Sequence, residues 1–171
     1  MPESRSVGRR LRGTHRHRSA RTVALRLLQF HKTVEAPLRF VFGWCTDYRE
    51  DDDRLTDDLY HYSARILLRE RDRIVREIVV PGRDRNRCTD VELIRLAPPD
   101  RWSLQKFSVT DDETGRYQLF ALGPGRTRIE MRFRQRWKVG RPPDRARYRR
   151  LFNRVWDRYV RTMEREDQGS R

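Results

Sequence analysis

Between Pro143 and about Glu166 the chain carries an apolar stripe that cannot be left in water. Tyr148, Leu151, Phe152, Val155, Trp156, Tyr159, Val160 and Met163 recur at three- and four-residue steps, with Arg147, Arg150, Arg154, Arg158, Arg161 and Arg165 in the gaps. That spacing predicts one amphipathic helix. Pro142 and Pro143 fit a first helical turn but cannot continue a strand ladder, Asp144 sits where the helix dipole favours an anion, and Gly169 follows the last periodic residue. A lone helix cannot bury Trp156, Phe152 and two tyrosines against itself. The rest of the chain must wrap it, and that remainder reads almost wholly as strands.

The first strand pattern runs from Val23 to Val34 and stops at Ala36-Pro37, where proline at a first helical position starts a short helix through Phe40, Val41 and Trp44. Tyr60, Tyr62, Ala64, Ile66 and Leu68 then alternate with polar residues, and Arg73 to Val80 follows a turn at Arg71-Asp72. Further strands are expected at Val91 to Leu96, Trp102 to Val109 and Tyr117 to Leu122, separated by Pro98-Pro99-Asp100, by Asp111 to Gly115 and by Gly123-Pro124-Gly125. Links this short imply antiparallel neighbours, because a parallel pair needs a long crossover. The last strand is the clearest. Thr127, Ile129, Met131, Phe133, Gln135, Trp137 and Val139 share one face, while Arg128, Glu130, Arg132, Arg134, Arg136 and Lys138 share the other.

A chain of 171 residues with 36% hydrophobic side chains can fill one core, so a single domain over residues 23–167 is expected. Residues 1–22 carry seven arginines against the single acid Glu3 and read as a disordered basic tail; 168–171 form a short disordered tail. The first of these also suits an organellar import peptide. Of 40 basic residues only Lys32, Lys106 and Lys138 are lysines, leaving 37 arginines and a net charge of +15. That bias suits a surface meeting phosphates, and equally the codons of a G+C-rich genome. Asp47, Glu50 to Asp53, Asp57 and Asp58 make an acidic stretch without the alternating oxygens and central glycine of a calcium loop. Cys45 and Cys88 are too few for a disulfide framework or a zinc site, which points to a reducing, cytoplasmic setting. No apolar run reaches the roughly 18 residues of a membrane span. No cofactor or metal signature is present.

Strand, short helices, six antiparallel strands and a long C-terminal helix make a helix-grip arrangement, an α+β fold. Val34-Glu35-Ala36-Pro37 leading into Phe40-Val41-Phe42 and Trp44-Cys45-Thr46-Asp47 resembles the opening of the START-like (SRPBCC) superfamily of polyketide cyclase/dehydrase, lipid-transfer and pollen-allergen proteins. The Gly125-Arg126-Thr127-Arg128-Ile129 turn into the final strand is similar to that family's penultimate hairpin. The resemblance implies a curved seven-stranded antiparallel sheet around the C-terminal helix, with a cavity for an apolar molecule between them. Candidate ligand contacts are Tyr60, Tyr62, Ile66, Met131, Phe133, Gln135, Trp137, Tyr148, Phe152, Trp156 and Tyr159, a set of aromatics with one amide to orient a polar group.

Binding or transport of a lipid, quinone or polyketide-like compound is therefore the leading expectation. A cyclase/dehydrase-type enzyme is the second, weakened because no acid and base pair up at inward positions in this reading; no catalytic residue is nominated. His61 falls on a polar strand face, and Cys45 reads as a small hydrophobe. The third is a basic module, using the ridge Arg128, Arg132, Arg134, Arg136 and Lys138 to meet RNA, ribosome or anionic membrane, though the ridge lacks the aromatics of single-strand readers.

Overall fold

The computed structural model describes residues 25–49, 63–81, 87–140, 142 and 144–170. Its strands are β1 (Leu25–Val34), β2 (Ser63–Arg69), β3 (Arg73–Pro81), β4 (Arg87–Ala97), β5 (Arg101–Phe107), β6 (Asp111–Gly123) and β7 (Arg126–Trp137). Helix α1 (Leu38–Thr46) follows β1, and α2 (Arg145–Gly169) closes the chain. All strand pairs are antiparallel in one seven-stranded sheet of order β1-β7-β6-β5-β4-β3-β2, so β1 joins the far end beside β7, with Leu25 opposite Arg136 and Val34 opposite Thr127. The α+β helix-grip expectation is met.

Period-two patterning places the core. Along β7, Thr127, Ile129, Met131, Phe133 and Gln135 are buried while Arg128, Arg132, Arg134 and Arg136 are exposed. The inner face thus opposes α2, whose buried residues include Phe152, Val155, Trp156 and Met163. Phe152 stacks on Phe30 of β1 with ring centres 3.9 Å apart and meets Phe133 edge-on at 5.2 Å. Polar ties fix the other flank of α2: Lys32 Nζ lies 2.6 Å from Asp157 Oδ1, the Glu35 amide donates to Glu164, and Trp44 Nε1 donates to Glu166 at 2.8 Å.

Several local expectations shift. Asp144 stands at the anion-favouring end of the helix as expected, as its N-cap, with its carboxylate accepting from the Arg147 amide at 2.8 Å, so Pro142 precedes α2 rather than joining its first turn. Pro37 likewise caps α1 from outside, with φ −62° and ψ 146°. Asp111 to Gly115 is strand rather than turn: acidic and glycine-rich residues look like turn chemistry, but these pair with β5 and β7 throughout. Gly115 is required there by a close approach, since a Cβ would sit 3.0 Å from a ring carbon of Phe133. A register shift between Ile66 and Leu68 turns Leu68 outward, opposite Val75, and leaves it 38% exposed. Val139 lies beyond β7 and is exposed. The basic tail, the acidic stretch after Arg49 and His61 lie outside the described residues.

Candidate functional site: an aromatic cavity under the C-terminal helix

A cavity of about 110 Å³ lies between the inner sheet face and α2. At the roughly 30 Å³ that a water takes up in the liquid it accommodates about four waters, or a small ring system of similar bulk. The sheet supplies Trp102, Leu104, Tyr117 and Phe133; α2 supplies Tyr148, Leu151, Phe152, Val155, Trp156 and Tyr159; Trp44, Cys45 and Tyr48 close the α1 side. These rings brace one another. Trp102 and Tyr117 stack nearly parallel at 4.5 Å, Tyr117 meets Phe133 edge-on at 5.6 Å, and Trp156 meets Tyr159 edge-on at 5.5 Å. Rings held by rings lose little rotamer freedom on binding, so the wall is preformed.

Two polar features break the apolar lining. On one side Arg76 Nε donates to Glu92 at 2.6 Å while its guanidinium carbon lies 4.6 Å from the centre of the Tyr48 ring, and all three residues face the cavity. On the other, Gln135 Nε2 donates to the Tyr148 hydroxyl at 2.9 Å and to Glu113 Oε2. Glu113 is 3% exposed, and burial pushes its carboxyl above the ordinary 4.5, opposed by Lys106 and the Gln135 hydrogen bond. Behind it Lys106 Nζ lies 3.1 Å from Asp111 and 3.9 Å from Asp90. Burial works against the Lys106 charge, yet Glu113, Asp111 and Asp90 together raise its pKa. Burial also raises Asp90 and lifts the hydroxyls of Tyr117 and Tyr148 well above 10.

A raised carboxyl makes stability fall as pH rises, because above 4.5 the unfolded chain loses a proton that the folded chain retains. Glu113→Gln, which keeps the amide-side contacts without an ionisable group, is expected to flatten the decline in urea midpoint through the window that opens above pH 4.5. An unchanged slope in that window would assign the decline to other groups.

Of the sequence-predicted contacts, Phe133, Tyr148, Phe152, Trp156 and Tyr159 converge on the cavity. Gln135 stands behind it, joined to Tyr148. Met131 is fully buried in the core, Ile66 is half-buried against the core and Trp137 is half-buried at the end of β7; none of the three is on the cavity wall. Tyr60 and Tyr62 lie outside the described residues. Sequence reasoning missed Trp44, Tyr48, Arg76, Glu92, Trp102, Tyr117 and Glu113. Alternation held the signal for several: Arg76 falls between Ile74 and Ile78, Glu92 two before Ile94, and Glu113 two before Gly115 and four before Tyr117, all on the inner face. The ridge Arg128, Arg132, Arg134, Arg136 and Lys138 is exposed but largely matched, with Arg128 and Arg132 against Glu130, and Arg136 and Lys138 against Asp112.

No protein-family model matches the chain, and no curated protein sequence is significantly similar to it. Solved structures do match. The Zhui aromatase/cyclase from Streptomyces sp. R1128 superposes with a TM-score of 0.66 at 16% identity, covering 85% of this chain and 94% of that one. The chain has the START-like helix-grip fold. A START superfamily protein from Mycobacterium smegmatis agrees at TM-score 0.59 and 12% identity, over 85% and 99% of the two chains. The di-domain aromatase/cyclase StfQ from the steffimycin biosynthetic pathway matches at 0.63 and 18%; this chain spans 46% of it. At these identities the START-like likeness is one of fold. No described helix is long and apolar enough to cross a membrane.

Proposed function

We propose that the protein binds a small, oxygen-bearing aromatic or alicyclic molecule in the cavity beneath α2. One observation carries this reading. Tyr117 lines an otherwise aromatic wall, yet its hydroxyl has no hydrogen-bond partner among the described residues, leaving a polar group for a ligand or a water to satisfy. Apolar area supplies affinity at about 25 cal/mol per Å², and the hydroxyls orient the guest. Among lipids, quinones and polyketide-like compounds, a ring system suits a cavity of about 110 Å³ better than a long acyl chain. The solved aromatase/cyclases of the same fold support ring compounds as the class to try first.

A second reading, cyclase/dehydrase-type turnover, is favoured by Glu113. A buried carboxyl whose pKa burial raises, lying 3.5 Å from the hydroxyl of the cavity-lining Tyr148, is placed to exchange a proton with a guest's oxygen through that hydroxyl. Binding comes first in either case. The test is titration with the small neutral fluorophore 2-naphthol at high salt, beside native mass spectrometry of co-purifying molecules. Val155→Phe, which adds bulk to the cavity wall, should weaken the probe about tenfold or more while the variant still unfolds cooperatively. Undiminished probe binding in a folded Val155→Phe protein would refute the cavity as the site.

A further inference from the structure

Among the described residues, one face of α2 carries a row of arginines that no acid answers. Arg147, Arg150, Arg154 and Arg161 are exposed on α2, and none of their guanidinium groups has an ion-pair partner among the described residues. At 3.6 residues per turn these four fall within an arc of about 60°, on the side of the helix away from Phe152 and Trp156. Arg158 and Arg165 extend the same row, which runs about 27 Å from Arg147 to Arg165 at 1.5 Å per residue. The acids of α2 are committed elsewhere. Asp157 holds Lys32, Glu164 and Glu166 hold the β1–α1 side, and Asp167 is buried. Arg150, Asn153, Arg154 and Arg161, with Asp157, border a shallow surface groove along the row.

We propose that this face of α2 binds the phosphate backbone of duplex nucleic acid without reading its sequence. A straight row of planar, forked cations matches a line of phosphates, which guanidinium grips bidentately. An anionic membrane fits less well, because an interfacial helix seats itself with an apolar face and α2 has already buried its own against the sheet. Single strands also fit less well, since the row holds no aromatic on which bases could stack. Backbone contact alone leaves a duplex as the partner, and the β7 ridge on the opposite side of the sheet is not needed, its charges being largely paired.

The test uses the full chain and a fluorescently labelled random-sequence duplex, with affinity followed by anisotropy between about 50 and 200 mM salt. Each phosphate contact contributes about 0.9 to the slope of log affinity against log salt. Neutralising Arg150→Gln, Arg154→Gln and Arg161→Gln together should therefore make the slope shallower by about 2.7 and weaken binding at least about tenfold at the lower salt. A charge-matched control, Arg128→Gln, Arg132→Gln and Arg134→Gln, should leave the slope nearly unchanged. Equal losses in both triple variants would reduce the effect to net charge and overturn the proposal. So would α2-dependent binding to phosphatidylglycerol vesicles, or to single strands, that exceeds binding to the duplex. Circular dichroism on both variants confirms that they remain folded.

Discussion

Phe152→Ala is expected to destabilise the protein by about 3–5 kcal/mol, the range for emptying a buried aromatic site. Few residues have so many ring contacts. Phe152 stacks on Phe30 at 3.9 Å and meets Phe133 edge-on, while Tyr148 and Trp156, one turn to either side, lie 6.3 and 6.1 Å away. It joins α2 to β1 and β7 together, so its loss loosens the helix from two strands at once. For a chain of this size each kcal/mol shifts the melting temperature by roughly 2–4 °C, and a fall of about 10 °C or more is expected. Phe152→Leu, which keeps most of the bulk, should recover over half of it. A loss below about 1 kcal/mol in urea unfolding of the alanine variant would mean that the sheet does not grip the helix at this point.

The second large effect concerns the buried ion pair. The side chains of Arg76 and Glu92 are 9% and 1% exposed, and they meet at 2.6 Å across β3 and β4. Taken singly, Arg76→Met is expected to cost about 3–5 kcal/mol, because it leaves a buried carboxylate without its partner cation. Arg76→Met with Glu92→Leu together should recover most of that loss, since two apolar side chains of similar volume require no charge compensation. The informative quantity is the coupling between the substitutions, measured by urea unfolding of the wild type, both single variants and the double. Additive losses would show that the pair is screened by water entering the cavity and contributes little as a pair. The same double variant should lose discrimination for oxygenated guests in the probe assay, as the polar rim opposite Tyr148 would be gone.

What could be read from the residues divides along physical lines. The α2 stripe and the β7 alternation were legible because each buries one face only, and a one-sided pattern has a period. Phe133, Tyr148, Phe152, Trp156 and Tyr159 followed from those two elements. The polar interior did not. Arg76, Glu92, Asp90, Lys106, Asp111 and Glu113 are charged, and charge ordinarily means solvent, so a period-two reading that takes charge as outward sends them to the wrong face. Mutual compensation is what lets them stay inside, and pairing across two strands leaves no trace in the period within either one. Asp111 to Gly115 failed for a related reason. Its residues have turn chemistry, and only the ring of Phe133 from β7, seated against Gly115, explains why a strand needs that glycine.

The sheet order has a further consequence for how the chain reaches this state. Leu25 pairs with Arg136 and Val34 with Thr127, so among the described residues the first strand has the last one as its sheet neighbour. During synthesis β1 must wait, unpaired, until nearly the whole domain has left the ribosome. Pairings of such long sequence separation fold slowly and keep strand edges available to aggregate in the meantime. Premature termination anywhere before β7 therefore yields a product that has neither closed its sheet nor made the helix that covers it.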